Sequence, residues 1–203
     1  MKYKIDSAET EYEPGSGDLV LRNKLAIVSE ADMNEAEEVL LLKLYDKVFD
    51  EFATMTLGFQ TICDWHRQWL GPIYDWAGML RAVNMSKGGF PFTAAMVLPK
   101  AAHEFENKYL NRFSELSELN TEALVSFLAE SHVEFILAHP FREGNGRISR
   151  LLMDVMATEA GIGPLDYALF DKHKDFYFKS IQAGLEGDTQ YLERLVRDTL
   201  ARD

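Results

Sequence analysis

The sequence predicts an all-α fold of about six to eight helices carrying one short β-hairpin. Three observations predict it. Apolar residues recur at helical spacing over most of the chain, as in Leu124, Phe127, Leu128, Ser131, Phe135 and Ala138, and again in Ile148, Leu151, Leu152, Val155 and Met156. Breakers separate those stretches at Gly58, Gly161-Ile-Gly163-Pro164 and Gly187. Between residues 79 and 98 the helical pattern lapses, and Ser86-Lys87-Gly88-Gly89 sits between two short runs, as in a tight hairpin.

At 203 residues the chain is long enough for one domain with a substantial core. Residues 1–28 are expected to form an arm, with a single domain over 29–203. A net charge of −12 argues against a nucleic-acid binder that relies on phosphate attraction. A small phosphorylated ligand needs only a local basic cluster. The single cysteine, Cys63, permits no intramolecular disulfide and fits a reducing compartment. No run of about 18 apolar residues marks a membrane span, and the N-terminus lacks the apolar core of a secretory signal. A cytoplasmic protein is expected, with no membrane partner.

In chain order, Ser29 with Asp32 suggests a cap for a helix from about Glu30 to Thr56. Its Val39, Leu40, Leu42, Leu44, Val48, Phe49 and Phe52 are too many for one stripe, which predicts burial on two sides. A second helix, 59–70, places Ile62, Trp65, His66 and Trp69 at core spacing, with His66 a hydrogen-bonded structural residue. After the hairpin, Pro99 suits the first turn of a helix to about Asn111. Residues 114–120 are expected as a loop, and Asn120 or Thr121 caps the helix that runs to His139. His132 is expected to be structural. A helix over 146–160 follows, in which Asp154 can pair with Arg150 four residues before it. Two final helices, about 171–185 and 188–201, complete the chain.

The densest chemistry lies in His139-Pro-Phe-Arg-Glu-Gly-Asn-Gly-Arg-Ile-Ser-Arg150. Gly144 and Gly146 permit turn geometries that a side chain hinders, and Asn145 tolerates the left-handed region. Consecutive N–H groups in such a turn, at a helix N-terminus, form an anion site. Arg147 and Arg150 share a helix face near that end, where they oppose the dipole unless an anion lies between them. Glu143, a lone carboxylate beside that site, suits Mg²⁺ shared with phosphate oxygens. His139 ends the preceding helix and is a candidate general base. Phe141 is expected to anchor the loop in the core.

This stretch resembles the Fic (Fido) signature HPFx(D/E)GNGRxxR at every specified position. The N-terminal leader is similar to that of the group called mobile mystery protein B. Residues 59–78 are similar to a further family segment, and Tyr177, Ile181, Ala183, Gly187-Asp188 and Leu192 to the close of the family core. The resemblance implies a helical Fic bundle whose hairpin is a flap that holds a target segment by main-chain pairing. It implies transfer of AMP from ATP to a Tyr, Ser or Thr hydroxyl of a protein target. His139 would be the base and Glu143 the Mg²⁺ ligand. Gly144, Asn145, Gly146, Arg147 and Arg150 would bind nucleotide, with Lys87 of the hairpin as a further contact.

Many Fic enzymes are inhibited by a helix bearing (S/T)xxxE(G/N), whose glutamate meets the second motif arginine, here Arg150. The nearest stretch, Gln182-Ala-Gly-Leu-Glu186-Gly187, has Gln in place of Ser or Thr and reads as an inter-helix turn. No internal inhibitory helix is therefore expected; a small antitoxin-like inhibitor in trans, ungated activity and restraint by oligomerisation are the alternatives, among which the sequence does not choose, and it does not fix an oligomeric state. Two other readings share the motif: a Doc-like phosphotransferase, which intact Gly144-Asn145-Gly146-Arg147 disfavours, and a non-catalytic nucleotide-binding module, which intact His139 disfavours.

Overall fold

In the computed structural model, residues 4, 5 and 11–200 are described, the first two by backbone alone. The chain divides into two compact units. One comprises residues 1–56, 60–99 and 140–144, and the other 57–59, 100–139 and 145–203. The motif thus passes from one unit to the other and back.

In the first unit, strand β1 (Lys4–Ile5) precedes helix α1 (Glu30–Asp50), helix α2 (Phe59–Leu70) and strands β2 (Met85–Lys87) and β3 (Phe90–Pro91). Ser29 caps α1 by accepting from the Asp32 N–H at 3.4 Å. This helix is shorter than expected and ends in a 3₁₀ turn over Phe52–Thr54. It is also buried on one side only. Met33, Glu37, Leu44 and Val48 are covered, whereas Val39 and Leu42 are 46% and 61% exposed. Density of apolar residues overstated burial here, because among the described residues only one stripe of α1 meets a partner.

Helix α2 buries Ile62, Trp65, His66 and Trp69 as its spacing predicts. Trp69 Nε1 donates to the Glu37 carbonyl at 2.8 Å, and the Tyr74 hydroxyl meets the Glu37 carboxylate at 3.1 Å, tying α1 to α2 and the turn after it. Residues 11–28 lie against that turn, with the Lys24 N–H donating to the Ile73 carbonyl at 2.8 Å. The hairpin forms at Gly88-Gly89, with Ser86 opposite Pro91 and Lys87 opposite Phe90. A third strand, unanticipated, lies on its other edge: β1 pairs antiparallel with β2, Lys4 opposite Ser86.

The second unit contains α3 (mostly; Leu98–Lys108), α4 (Thr121–Ala138), α5 (Asn145–Glu159), α6 (Ala168–Lys172), α7 (Lys174–Gly184) and α8 (Gln190–Leu200). Residues 110–118 are a 3₁₀ helix, not an open loop, because Leu110, Phe113 and Leu116 are buried at three-residue spacing. Asn120 caps α4, accepting from the Ala123 N–H at 2.9 Å. Helix α4 touches α5, α7 and α8, which explains its apolar residues on all sides. The expected helix 171–185 is divided at His173 into α6 and α7. Among the described residues, no helix is long and apolar enough to cross a membrane.

Candidate active site

His139 is the C-cap of α4. Its φ of 49° and ψ of 58° put a non-glycine residue in the left-handed region, where the chain turns out of the helix before Pro140. Its N–H still closes the last helical turn onto the Phe135 carbonyl at 2.9 Å. The ring lies 3.2 Å from the Ile136 carbonyl through Nδ1. A carbonyl only accepts, so Nδ1 carries a proton there, which leaves Nε2 as the nitrogen that can exchange one. The side chain is 3% exposed, so its orientation is fixed by the helix end that presents it.

The loop 140–144 is held within the first unit. Phe141 is fully buried, as expected of an anchor. His66 stacks on it, ring centroids 4.0 Å apart. His66 Nδ1 accepts from the Gly78 N–H at 2.8 Å. Nε2 is then the protonated nitrogen and donates to the Glu143 carbonyl at 3.0 Å. The Arg81 N–H donates to the Pro140 carbonyl at 2.9 Å. Arg81 itself is buried, and burial lowers its guanidinium pKa to about 10. It donates to the carbonyls of Val83 and Thr93, residues that flank the hairpin. Sequence reasoning missed Arg81 entirely, since a lone arginine before a turn carries no signal.

Gly144 has φ +80°, and a Cβ there would lie 2.6 Å from the Trp69 ring. Both facts require glycine. Gly146 differs from expectation. It is helical, and a Cβ added to it would meet nothing within 4 Å. Asn145 likewise is the first residue of α5 rather than a left-handed turn residue, and it is fully buried. The turn geometry therefore rests on Gly144, and Gly146 keeps the helix end bare. The Glu143 carboxylate accepts from the Gly144 N–H at 2.9 Å.

Arg147 and Arg150 follow on the first turns of α5, both half-buried. Arg150 pairs with Asp171 of α6, not with Asp154. The contact is two-pronged, at 2.8 and 3.3 Å, and the guanidinium lies 4.9 Å from the Tyr167 ring centre. Burial works against the Arg150 charge, and Asp171 more than offsets it, so the guanidinium pKa is raised. Arg150 in turn holds the Asp171 carboxyl below its ordinary value. Asp154 is buried and accepts from the Leu165 N–H at 2.9 Å, with the Tyr167 hydroxyl 2.8 Å away.

His132 is structural, as expected. Its Nε2 and the Tyr177 hydroxyl share a 2.7 Å hydrogen bond. Burial first, and the Arg150 charge second, lower its pKa to about 3. Glu186 and Gly187 lie in the turn between α7 and α8. Lys87 ends β2, half-buried on the hairpin. Burial raises the Cys63 thiol to about 11, making it a poor nucleophile.

Within this short stretch the chain therefore carries an imidazole whose Nδ1 is held by a carbonyl, a carboxylate, a helix N-terminus and two arginines. That set suits transfer of a phosphorus group to a hydroxyl.

A family model described as Fic/DOC family matches residues 56–157. The chain is 30% identical over 143 residues to a probable protein adenylyltransferase Fic of Salmonella typhimurium, covering 70% of each. It is 27% identical over 177 residues to a protein of the same description in Escherichia coli, covering 87% of this chain and 85% of that one. Among solved structures, BepC of Bartonella tribocorum with bound AMPPNP superposes with a TM-score of 0.75 at 20% identity, covering 94% of this chain and 97% of BepC. The Fic domain of a putative cell filamentation protein from Bartonella quintana, with bound ADP, also gives 0.75, at 19% identity, covering 94% and 95%.

Proposed function

Because this chain belongs to the Fic/DOC family, we propose that it is a protein adenylyltransferase, moving AMP from ATP to a Tyr, Ser or Thr hydroxyl of a protein target. The observation that carries the reading is His139, whose Nδ1 is committed to the Ile136 carbonyl, which leaves Nε2 as the nitrogen that can exchange a proton. Its relatives named protein adenylyltransferase Fic support the same activity.

Nε2 of His139 takes the proton of the target hydroxyl. The hydroxyl oxygen attacks the α-phosphorus of ATP, the bond to the bridging oxygen breaks, and pyrophosphate leaves. The N–H groups at the start of α5, with Asn145, hold the α-phosphate region, and bare Gly146 admits its close approach. Arg147 and Arg150 receive the outer phosphates as planar forks. Arg150 must exchange Asp171 for phosphate to do so. Lys87 on the hairpin is a further nucleotide or target contact.

The residues present fit Mg²⁺. Among the described residues no cluster of three His, Cys, Asp or Glu could hold a metal by itself. Mg²⁺ does not need one, because it is bound through one or two carboxylates plus phosphate oxygens. Glu143 supplies that carboxylate, and the ion would neutralise phosphate charge. Residues 29–203 would make up the Fic domain, acting in the cytoplasm. Occupation of Glu186-Gly187 by an inter-helix turn supports control by a small separate inhibitor chain.

The test is mass spectrometry after incubating the protein with ATP and Mg²⁺ in cell lysate, wild type against His139→Ala. An AMP-sized adduct on a protein hydroxyl, made only by the wild type, supports the reading. A phosphate-sized adduct replaces it with a Doc-like phosphotransferase. ATP binding without any adduct replaces it with a nucleotide-binding module.

A further inference from the structure

Arg142 stands at the variable position of the motif, between Phe141 and Glu143, and the reaction above gives it no task. It is half-buried. Among the described residues its side chain makes no hydrogen bond and no ion pair within salt-bridge distance. A partly desolvated guanidinium without a directly bonded carboxylate is costly, and in a chain with a net charge of −12 carboxylates are plentiful.

The guanidinium-bearing residue lines a pocket of about 670 Å³ that lies wholly in the first unit. That volume is in the range of small-molecule sites. Its other walls include Arg22, Asn23 and Lys24 from the segment before α1, and Asp75 and Trp76 from the turn after α2. Two of its three cations already have partners. Arg22 meets Glu11 at 3.1 Å, and Lys24 meets Asp75 at 2.9 Å and the Gly71 carbonyl at 2.8 Å. Both ion pairs are exposed, so they are weak and open easily. The lining holds three cations and two carboxylates, and Arg142 is the cation that neither lining carboxylate meets. Trp76 stacks on Tyr74, centroids 4.4 Å apart, and gives the pocket a rigid aromatic side.

We propose that this pocket is a second ligand site, taking a small molecule that carries a phosphate or carboxylate group, with Arg142 as its planar two-pronged anchor and Arg22 as a second cation. It does not depend on AMP transfer. Because Arg142 precedes Glu143 in the catalytic loop, occupancy changes the charge next to the residue assigned to the metal.

The experiment uses the full chain labelled at its tryptophan indoles, with the Trp76 resonance assigned from Trp76→Phe. Inorganic phosphate and succinate are titrated separately at constant ionic strength. Phosphate can also enter the anion site at α5, and the Trp76 signal reports on the pocket. A saturable Trp76 shift, weakened at least about tenfold in Arg142→Gln and less in Arg22→Gln, is expected from loss of a charged hydrogen-bonding anchor. Response to phosphate alone identifies a phosphorylated ligand, and response to succinate alone a carboxylate. Arg22→Gln, an exposed change, keeps the test open should Arg142→Gln fold poorly. No saturable shift with either anion, or an equal shift in a folded Arg142→Gln, overturns the proposal.

Discussion

His66 lies flat on Phe141, ring planes 15° from parallel, while its Nε2 donates to the Glu143 carbonyl at 3.0 Å. One imidazole thus grips the loop 140–144 both through the face of its anchor and through its backbone. The same ring accepts from the Gly78 N–H. His66→Ala removes both hydrogen bonds and leaves a cavity against Phe141. A loss of about 3–5 kcal/mol in unfolding free energy is expected from truncating a buried ring with two bonded partners, measured by urea denaturation. His66→Gln, which can restore one bond, should lose less.

For His139→Ala, AMP transfer should fall about 10²–10⁴-fold, the range for a general base, with nucleotide affinity changed little. Single-turnover assays and calorimetry read the two quantities separately. Near-native transfer would remove His139 from the role of base.

Arg150 is engaged by Asp171, so Asp171→Asn should raise nucleotide affinity several-fold, about 1 kcal/mol, the upper end for a partly exposed ion pair. Arg150→Ala should lower it. The pH dependence has a definite sign. Asp171 titrates below its ordinary value because Arg150 binds its charged form, so the pair contributes stability above the ordinary carboxylate range. That contribution is lost as pH falls through the lowered value. Unchanged affinity in Asp171→Asn would mean that the pair does not compete with phosphate.

The two motif glycines should behave oppositely on substitution by alanine. Gly144→Ala forces a side chain onto Trp69 at a positive φ, and a loss of about 1–3 kcal/mol is expected. Gly146→Ala, helical and unobstructed, should stabilise the fold by up to about 1 kcal/mol while weakening nucleotide binding through the added methyl group. Thermal melts and binding isotherms on the pair test this, and equal melting temperatures would contradict it.

His132 sets a second pH window. Its folded-state pKa of about 3 is below the unfolded value of about 6.5. The unfolded chain therefore binds more protons between the two, and stability declines as pH falls from about 6.5 toward 3. His132→Gln, which does not titrate, should show a shallower decline in melting temperature over that interval.

The sequence spoke clearly where local chemistry decides the outcome. Ser29 and Asn120 cap their helices, Gly88-Gly89 turns the hairpin, and Ile62, Trp65 and Trp69 are buried on the face their spacing implies. The motif was legible because its residue types are adjacent in sequence. What failed depended on partners distant along the chain. Val39 and Leu42 are exposed because, among the described residues, no element covers that side of α1. Arg150 chose Asp171, 21 residues on, over Asp154 one helical turn away, because Asp154 is buried against Leu165 and Tyr167. Gly146 and Asn145 looked like turn residues by composition, yet one left-handed glycine was enough to start α5.

Arg81 has a mechanical consequence. Its side chain clasps Val83 and Thr93 on either side of the hairpin, and its own amide holds Pro140 of the loop that follows α4. The stem of the hairpin and the loop are thereby hitched to a single residue, like two reins in one hand. Neither can slacken alone, so their amides should exchange with solvent as one cooperative unit. Whatever displaces the hairpin stem is felt one hydrogen bond away from the proline that follows His139.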